Sequence, residues 1–277
     1  MTPTEHLASL YSLQGRVAVV TGGSGVLGSA TAMSLAMAGA RVGVLGRRRE
    51  RLEQVASEIQ ARGGEVIALT ADVLDRASLN IARKNLERRW EHIHVLINAA
   101  GGNLPVATVA DSADLFGLSI EAFQEVVDLN LTGTLLPSLV FGEAIAKSGG
   151  GSIVNVSSMA SARALTRVAG YGAAKAAVEN LTRWLAVELG RRHRGLIRVN
   201  AIAPGFFIGE QNRSLLLEPD GSLTARGQAI IDRTPAGRFG EASEVCGALL
   251  WLCSPSASFV NGVVLPIDGG FSAFSGV

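Results

Sequence analysis

The sequence predicts an α/β fold built on one doubly wound, seven-stranded parallel sheet with helices on both faces, and three observations carry that prediction. Short apolar runs of strand length alternate with helical patterns from residue 16 to residue 267. A glycine-rich turn joins the first apolar run to the first Ala-rich helical pattern. Finally, Ser157 and Ser158 end the apolar run at 152–156, and open α/β sheets carry their ligand sites at such strand ends. No linker, repeat or low-complexity segment interrupts the pattern, so residues 1–277 read as a single domain.

Residues 1–14 carry no strong signal and are expected to lie over the surface. The first strand is 16–20, and the turn after it holds Gly22, Gly23, Ser24, Gly25, Val26, Leu27 and Gly28 before a helix that Gly39 stops. Gly23, Gly25 and Gly28 fit G-x-G-x-x-G, which lets backbone approach a pyrophosphate at a helix N-terminus; a tight turn without ligand leaves the same pattern. The second strand, 41–45, runs into Gly46 and the arginines 47–49, then a helix to about residue 62. NAD-preferring folds place an acidic residue there, whereas Arg47 suits a 2′-phosphate. The reading leans to NADP(H), with NAD(H) as the alternative; the arginines could equally just solvate a helix turn.

The third strand, 65–70, leads to Asp72 and Val73 and a polar helix at 76–90. The fourth, 94–97, is followed by Asn98, Ala99, Ala100, Gly101, Gly102 and Asn103, small residues that admit another group close to the backbone. One long helical pattern at 121–147 contains Asn130, a poor interior residue, so either it caps or kinks the helix or its amide has work to do. After the fifth strand comes a helix from Tyr171 to about residue 189, and a sixth strand at 197–203 broken by Pro204 and Gly205. Residues 205–235 form a long loop of the lid or binding type that includes Phe207. A helix at 242–253 and a seventh strand at 263–267 complete the pattern.

Tyr171 and Lys175 are four apart and share a helix face. A tyrosine of pKa about 10 needs roughly 4 kcal/mol to reach neutrality. A lysine at about 4 Å and an effective dielectric near 20 supplies about that much, so Lys175 is expected to activate Tyr171. An ordinary surface pair would have the same spacing.

Composition narrows the function. A formal charge of +1 over 277 residues leaves no footprint for nucleic acid. The start lacks the basic and apolar regions of a signal peptide and no apolar stretch approaches membrane-spanning length, so a cytoplasmic protein is expected. Cys246 and Cys253 read as buried free thiols on one helix face, and His92 and His94 lack the companions of a metal site.

Taken together, Thr21-Gly22 with Gly28, Asp72-Val73, Asn98-Ala99-Ala100-Gly101, Asn130, Ser158, Tyr171 with Lys175, and Pro204-Gly205 resemble the short-chain dehydrogenase/reductase family, over nearly the whole chain. The resemblance implies a Rossmann-type fold and a catalytic tetrad of Asn130, Ser158, Tyr171 and Lys175. Ser158 would bind the substrate carbonyl, Tyr171 would donate the proton, Lys175 would lower the tyrosine pKa and hold the nicotinamide ribose, and Asn130 would anchor a water. It also implies a homotetramer built on the helices carrying Asn130 and Tyr171. Two positions depart from the family pattern: Val26 stands at the second-to-last glycine of the turn, and Gly209 where a threonine is common.

Those departures, with Ala100-Gly101-Gly102-Asn103, Pro204-Gly205-Phe206-Phe207, Gln211-Asn212-Arg213 and the ending at 271–277, are similar to the D-mannonate oxidoreductase (fructuronate reductase) group within the family. A small sugar-acid substrate needs a carboxylate fork and hydroxyl partners, for which Arg167, Arg213, Gln211 and Asn103 are candidates beside Ser158. Reduction of another ketone, such as a 3-oxoacyl thioester or a polyol-derived ketone, is the alternative, and a non-catalytic dinucleotide-binding protein a third reading.

Overall fold

The computed structural model describes residues 1–110, 114–210 and 212–276. Seven strands, β1 (Val17–Thr21), β2 (Arg41–Gly46), β3 (Val66–Thr70), β4 (Val95–Asn98), β5 (Gly151–Val156), β6 (Ile197–Pro204) and β7 (Val264–Ile267), form one sheet in the order β3-β2-β1-β4-β5-β6-β7. Every neighbouring pair is parallel, as expected from the sequence. The order reverses direction between β1 and β4, and the register there sets Thr21 beside Asn98 and Asn98 beside Asn155. A crevice opens beyond the carboxyl ends of strands at such a point.

The strands read as continuous apolar runs because both faces are covered. Ala18 and Val20 belong to one core with Leu35 of α2 (Val26–Met37), Ile59 of α3 (Arg49–Ala61) and Leu249 of α10 (Cys246–Cys253). Val17 and Val19, on the opposite face, belong to a second core with Leu86 of α4 (Arg76–Trp90), Phe141 of α6 (Gly133–Lys147) and Leu185 of α7 (Ala169–Arg192). Both cysteines are free; Cys253 is buried and its thiol is pushed up to about 12 by burial, whereas Cys246 is only half-buried, against the expectation for that residue.

One segment without a strong sequence signal takes a defined form on the surface, as its expected placement allows, and three local expectations are corrected. Residues 3–11 form a helix, α1 (Pro3–Tyr11), capped by Thr2 and Glu5 through reciprocal bonds of 3.2 and 2.7 Å, with Pro3 at its first position. The pattern at 121–147 is broken into α5 (Ile120–Val127), a π-helical turn (Asp128–Thr132) and α6. The widened turn is centred on Asn130, whose amide bonds Gly102 outside the helix as well as Val126 O one turn back, and Pro137, which has no N–H to offer the Gly133 carbonyl, follows in α6. The span Ile120–Lys147 is also long and apolar enough to cross a membrane by length and composition, contrary to the sequence reading, yet more than half of its apolar window is buried inside the fold. The long loop contains two short helices, α8 (Arg213–Leu216) and α9 (Ala225–Ile231), the latter capped by Thr224 and joined to the first by a Leu217–Leu223 bridge.

Candidate active site

The glycine turn is packed tightly enough to require its glycines. Gly22 has φ +63°, and a Cβ there would sit 2.7 Å from Ala100 N and Ala99 O. A Cβ on Gly28 would collide with the Gly22 carbonyl. Gly25 caps α2 without a side chain, its own N–H donates to Gly22 O at 2.9 Å, and no acidic residue occupies the first helical turn. The free N–H groups and positive end of α2 therefore face a position suited to a pyrophosphate. Val26 fits this cradle because it is the first helical residue and 40% exposed, whereas Leu27 turns into the core.

At the end of β2, Arg47 stands 4.0 Å from Asp72, whose Oδ1 accepts from Leu74 N at 2.9 Å. Ser24 lies beside Gly46, and Val73 packs against Gly133. Asn98 behaves differently from the expectation. Its side chain is 1% exposed and donates to Ser138 Oγ and Asn155 Oδ1, both at 2.9 Å, so it holds the floor beneath the cleft and its buried Oδ1 has no partner. Asn155 passes the network on to Thr182 of α7. Gly205 approaches Asp268 so closely that a Cβ would lie 2.7 Å from its Cα, and Phe207 bridges to Gly240.

The four tetrad residues come together at the ends of β4 and β5. Ser158 follows β5 and its Oγ accepts from Ala160 N at 3.1 Å. Tyr171, in the first turn of α7, stands beside Ser158 and packs on the small cluster of Ala107, Ala122 and Val126. Lys175, one turn on and 3% exposed, donates to Val156 O at 2.7 Å and lies 5.6 Å from the centre of the Tyr171 ring. Asn130 in the π turn donates to Gly102 O and Val126 O at 2.8 Å and accepts from Gly102 N at 3.0 Å. Its amide thus both shapes the helix and does work. The space beside Gly101, where a side chain would start, is 2.6 Å from Asn130 Oδ1 and 3.2 Å from Lys175 Nζ.

Electrostatics at this site run against the expected activation. Burial pushes the Tyr171 phenol above its usual value, and the Ser158 hydrogen bond opposes that only in part. Burial also lowers the Lys175 ammonium to about 8. Burial is the leading cause at both groups, and no effect of Lys175 on the phenol is resolved.

The candidate substrate residues are dispersed around this centre. Asn103 Nδ2 donates to Thr108 Oγ1 at 2.7 Å and to Leu104 O, leaving its buried Oδ1 without a partner. Arg167 adopts φ +75° and its Nε donates to Val109 O at 3.1 Å, which makes it a tie for the wall of the site. Arg213 is exposed at the start of α8, and Gln211 lies outside the described residues. Three groups escaped the sequence reading. Arg226 of α9 donates to Thr166 Oγ1 at 3.2 Å, and Arg163 donates to Ser272 O, so the segment between Ser158 and Tyr171 is strapped to the loop and to the tail. Glu179, one turn beyond Lys175 on the same face, accepts from Ser157 and Ser161; the four-residue spacing was the signal that could have found it.

Among the described residues no group of three or more potential metal ligands occurs. His94 Nδ1 instead accepts from Val17 N at 3.1 Å, a structural bond at the start of β1.

Fold, glycine cradle and tetrad define a nicotinamide-dependent oxidoreductase, and the chain belongs to the short-chain dehydrogenase/reductase family. A family profile described as enoyl-(acyl carrier protein) reductase matches residues 23–272. The chain is 43% identical to the uncharacterized oxidoreductase UxuB of Bacillus subtilis, over 96% of this chain and 98% of that protein. A crystal structure from Haemophilus influenzae, provisionally described as a D-mannonate oxidoreductase with bound NAD, is 40% identical with a TM-score of 0.89, covering 98% of this chain and all of that one. A gluconate 5-dehydrogenase of Burkholderia cenocepacia, solved with NADP and tartrate, is 30% identical with a TM-score of 0.86, covering 97% and 99%. This chain is an NAD(P)-dependent oxidoreductase acting on CH–OH groups.

Proposed function

We propose that the chain interconverts a keto sugar acid of the D-fructuronate type and the corresponding D-mannonate-type alcohol, acting in the cytoplasm as one catalytic domain whose loop at 205–235 contacts substrate. The observation that carries the chemistry is buried Lys175, held by Val156 O at 2.7 Å and 5.6 Å from the Tyr171 ring, with Ser158 beside the phenol. When bound, the nicotinamide supplies or accepts hydride. Ser158 holds the substrate oxygen, Tyr171 gives its phenolic proton to that oxygen in reduction, and Lys175 with Asn130 forms the route by which the phenol regains a proton. Gly22, Gly23, Gly25 and Gly28 with the α2 N-terminus hold the pyrophosphate, and Arg47 with Asp72 borders the adenosine ribose.

Support for a sugar acid comes from the likeness to the Haemophilus influenzae protein, from the tartrate in the gluconate 5-dehydrogenase, and from Arg213, exposed in the loop and able to fork onto a carboxylate. A homotetramer is part of the proposal, supported by apolar side chains exposed on the helices around the site: Ile120 of α5, Leu139 of α6, Trp184 and Val187 of α7.

Initial rates of NADPH and NADH oxidation with D-fructuronate test the proposal. Turnover is expected, and Arg213→Ala should raise KM for the sugar acid about tenfold or more while leaving a neutral ketone within about twofold. Protein that binds a dinucleotide but leaves D-fructuronate untouched would overturn the substrate assignment.

A further inference from the structure

The arginines that follow β2 are already occupied by carboxylates, and one of those carboxylates comes from the substrate loop. Arg47 faces Asp72 at 4.0 Å and Arg49 pairs with Glu53 at 2.7 Å, both partners lying nearby in the same region of the fold. Arg48 and Arg51 instead share Glu210, with Arg48 on one carboxylate oxygen at 3.4 Å and Arg51 on the other at 3.1 Å. Glu210 reaches them because the backbone leaving β6 runs past the N-terminus of α2. The space beside Gly209 lies 3.7 Å from the Val26 side chain. Asn212 fixes that path, accepting from Gly209 N at 2.7 Å and donating to Phe207 O at 2.9 Å.

We propose that Glu210 is a cofactor-specificity determinant: by pairing with Arg48 and Arg51 it penalises a 2′-phosphate on the adenosine ribose that a 2′-hydroxyl escapes. A 2′-phosphate carries close to two negative charges and needs guanidinium donors; Glu210 both takes those donors and adds a like charge. A 2′-hydroxyl is neutral and asks for neither. The arginines alone therefore overstate the preference for NADP(H), and Glu210 sets how far it is reduced. Glu210 acts through Arg48 and Arg51 and is a positioning residue. The inference rests on the dinucleotide reading of the cleft and is independent of the sugar-acid substrate.

The test is calorimetric titration of the full-length protein and its Glu210→Gln variant with adenosine 2′,5′-bisphosphate and 5′-AMP, then with NADP and NAD. Glu210→Gln should tighten the two 2′-phosphorylated ligands about three- to tenfold and move the other two by less than about twofold, the modest size following from the exposure of the pairs. Adding Arg48→Gln should reverse the gain. Equal shifts for all four ligands, looser binding of all four, or no shift would overturn the proposal, since each describes a loop tie indifferent to the 2′ group. Wild-type protein that binds none of the four would bring down the dinucleotide reading and this inference together, whereas normal binding with no activity on D-fructuronate would leave it standing.

Discussion

Replacing Lys175 by methionine should make the protein more stable at neutral pH while destroying its activity. Lys175 is 3% exposed and its pKa falls from 10.5 to about 8 through burial. A depressed lysine is protonated more readily in the unfolded chain, so wild-type stability rises with pH across the window from 8 to 10.5. The full penalty applies below pH 8 and amounts to about 3 kcal/mol at 1.36 kcal/mol per pH unit. Methionine removes that penalty but orphans the Val156 carbonyl, now bonded at 2.7 Å, at a cost of about 1–2 kcal/mol. The net expectation is a gain of about 1–2 kcal/mol at pH 7 that shrinks as pH rises above 8 and reverses between about pH 9 and 10. Urea unfolding of both proteins from pH 7 to 10.5 reads the difference directly, and turnover at pH 7 should fall by about a thousandfold. Parallel stability curves across that window would show that Lys175 carries no burial penalty, and the reasoning would fail.

Other perturbations address separate parts of the molecule. Tyr171→Phe removes the phenol that stands beside Ser158, so kcat should drop by about a thousandfold or more while the dissociation constant for the dinucleotide stays within about threefold; retained turnover would remove Tyr171 from the chemistry. Gly28→Ala places a methyl against the Gly22 carbonyl, which should weaken dinucleotide binding by about tenfold or more; unchanged affinity in titration would place the pyrophosphate elsewhere. His94 is pushed down to about 4, first by burial, then by Arg16 and His92, so it stays neutral in the folded protein while the unfolded chain takes up a proton below pH 6.5. Wild-type stability should therefore fall by about 1–2 kcal/mol from pH 6.5 toward pH 4, discounted for partial exposure, and His94→Asn should flatten that slope in thermal or denaturant melts; identical slopes would refute it.

The parts of this structure legible in the sequence are those fixed by backbone periodicity. Burial on both faces gives strands such as β6 an unbroken apolar run, and four-residue spacing puts Tyr171 and Lys175 on one helix face whatever surrounds them. The signature of α1 was also present, in Thr2, Pro3 and Glu5, with Leu7, Leu10 and Tyr11 at helical spacing, but nine residues are a short window for periodicity. What could not be read depends on distant chain meeting. The π turn exists because the Asn130 amide satisfies Gly102, 28 positions away. Asn98 shares the strand-end position of the cofactor-facing residues yet turns downward, because Ser138 and Asn155 offer its amide partners there. Likewise nothing at 47–51 reveals that Glu210 arrives to neutralise two of the arginines.

The electrostatic reading of the tetrad shows how far such a difference reaches. A Coulomb term of about 4 kcal/mol presumes two charges at about 4 Å in a medium of dielectric near 20. In the folded chain the ammonium is spent on the Val156 carbonyl, lies 5.6 Å from the ring, and is itself partly discharged by burial. Burial therefore favours the phenol over tyrosinate at Tyr171. Under the proposed function that phenol is the proton donor in reduction, and in oxidation its proton would pass to Asn130 and Lys175, which converge beside Gly101. Under the proposed function the lysine would serve proton transfer behind the tyrosine as much as any lowering of its pKa, since a buried amine near 8 exchanges protons at neutral pH far more readily than one near 10.5.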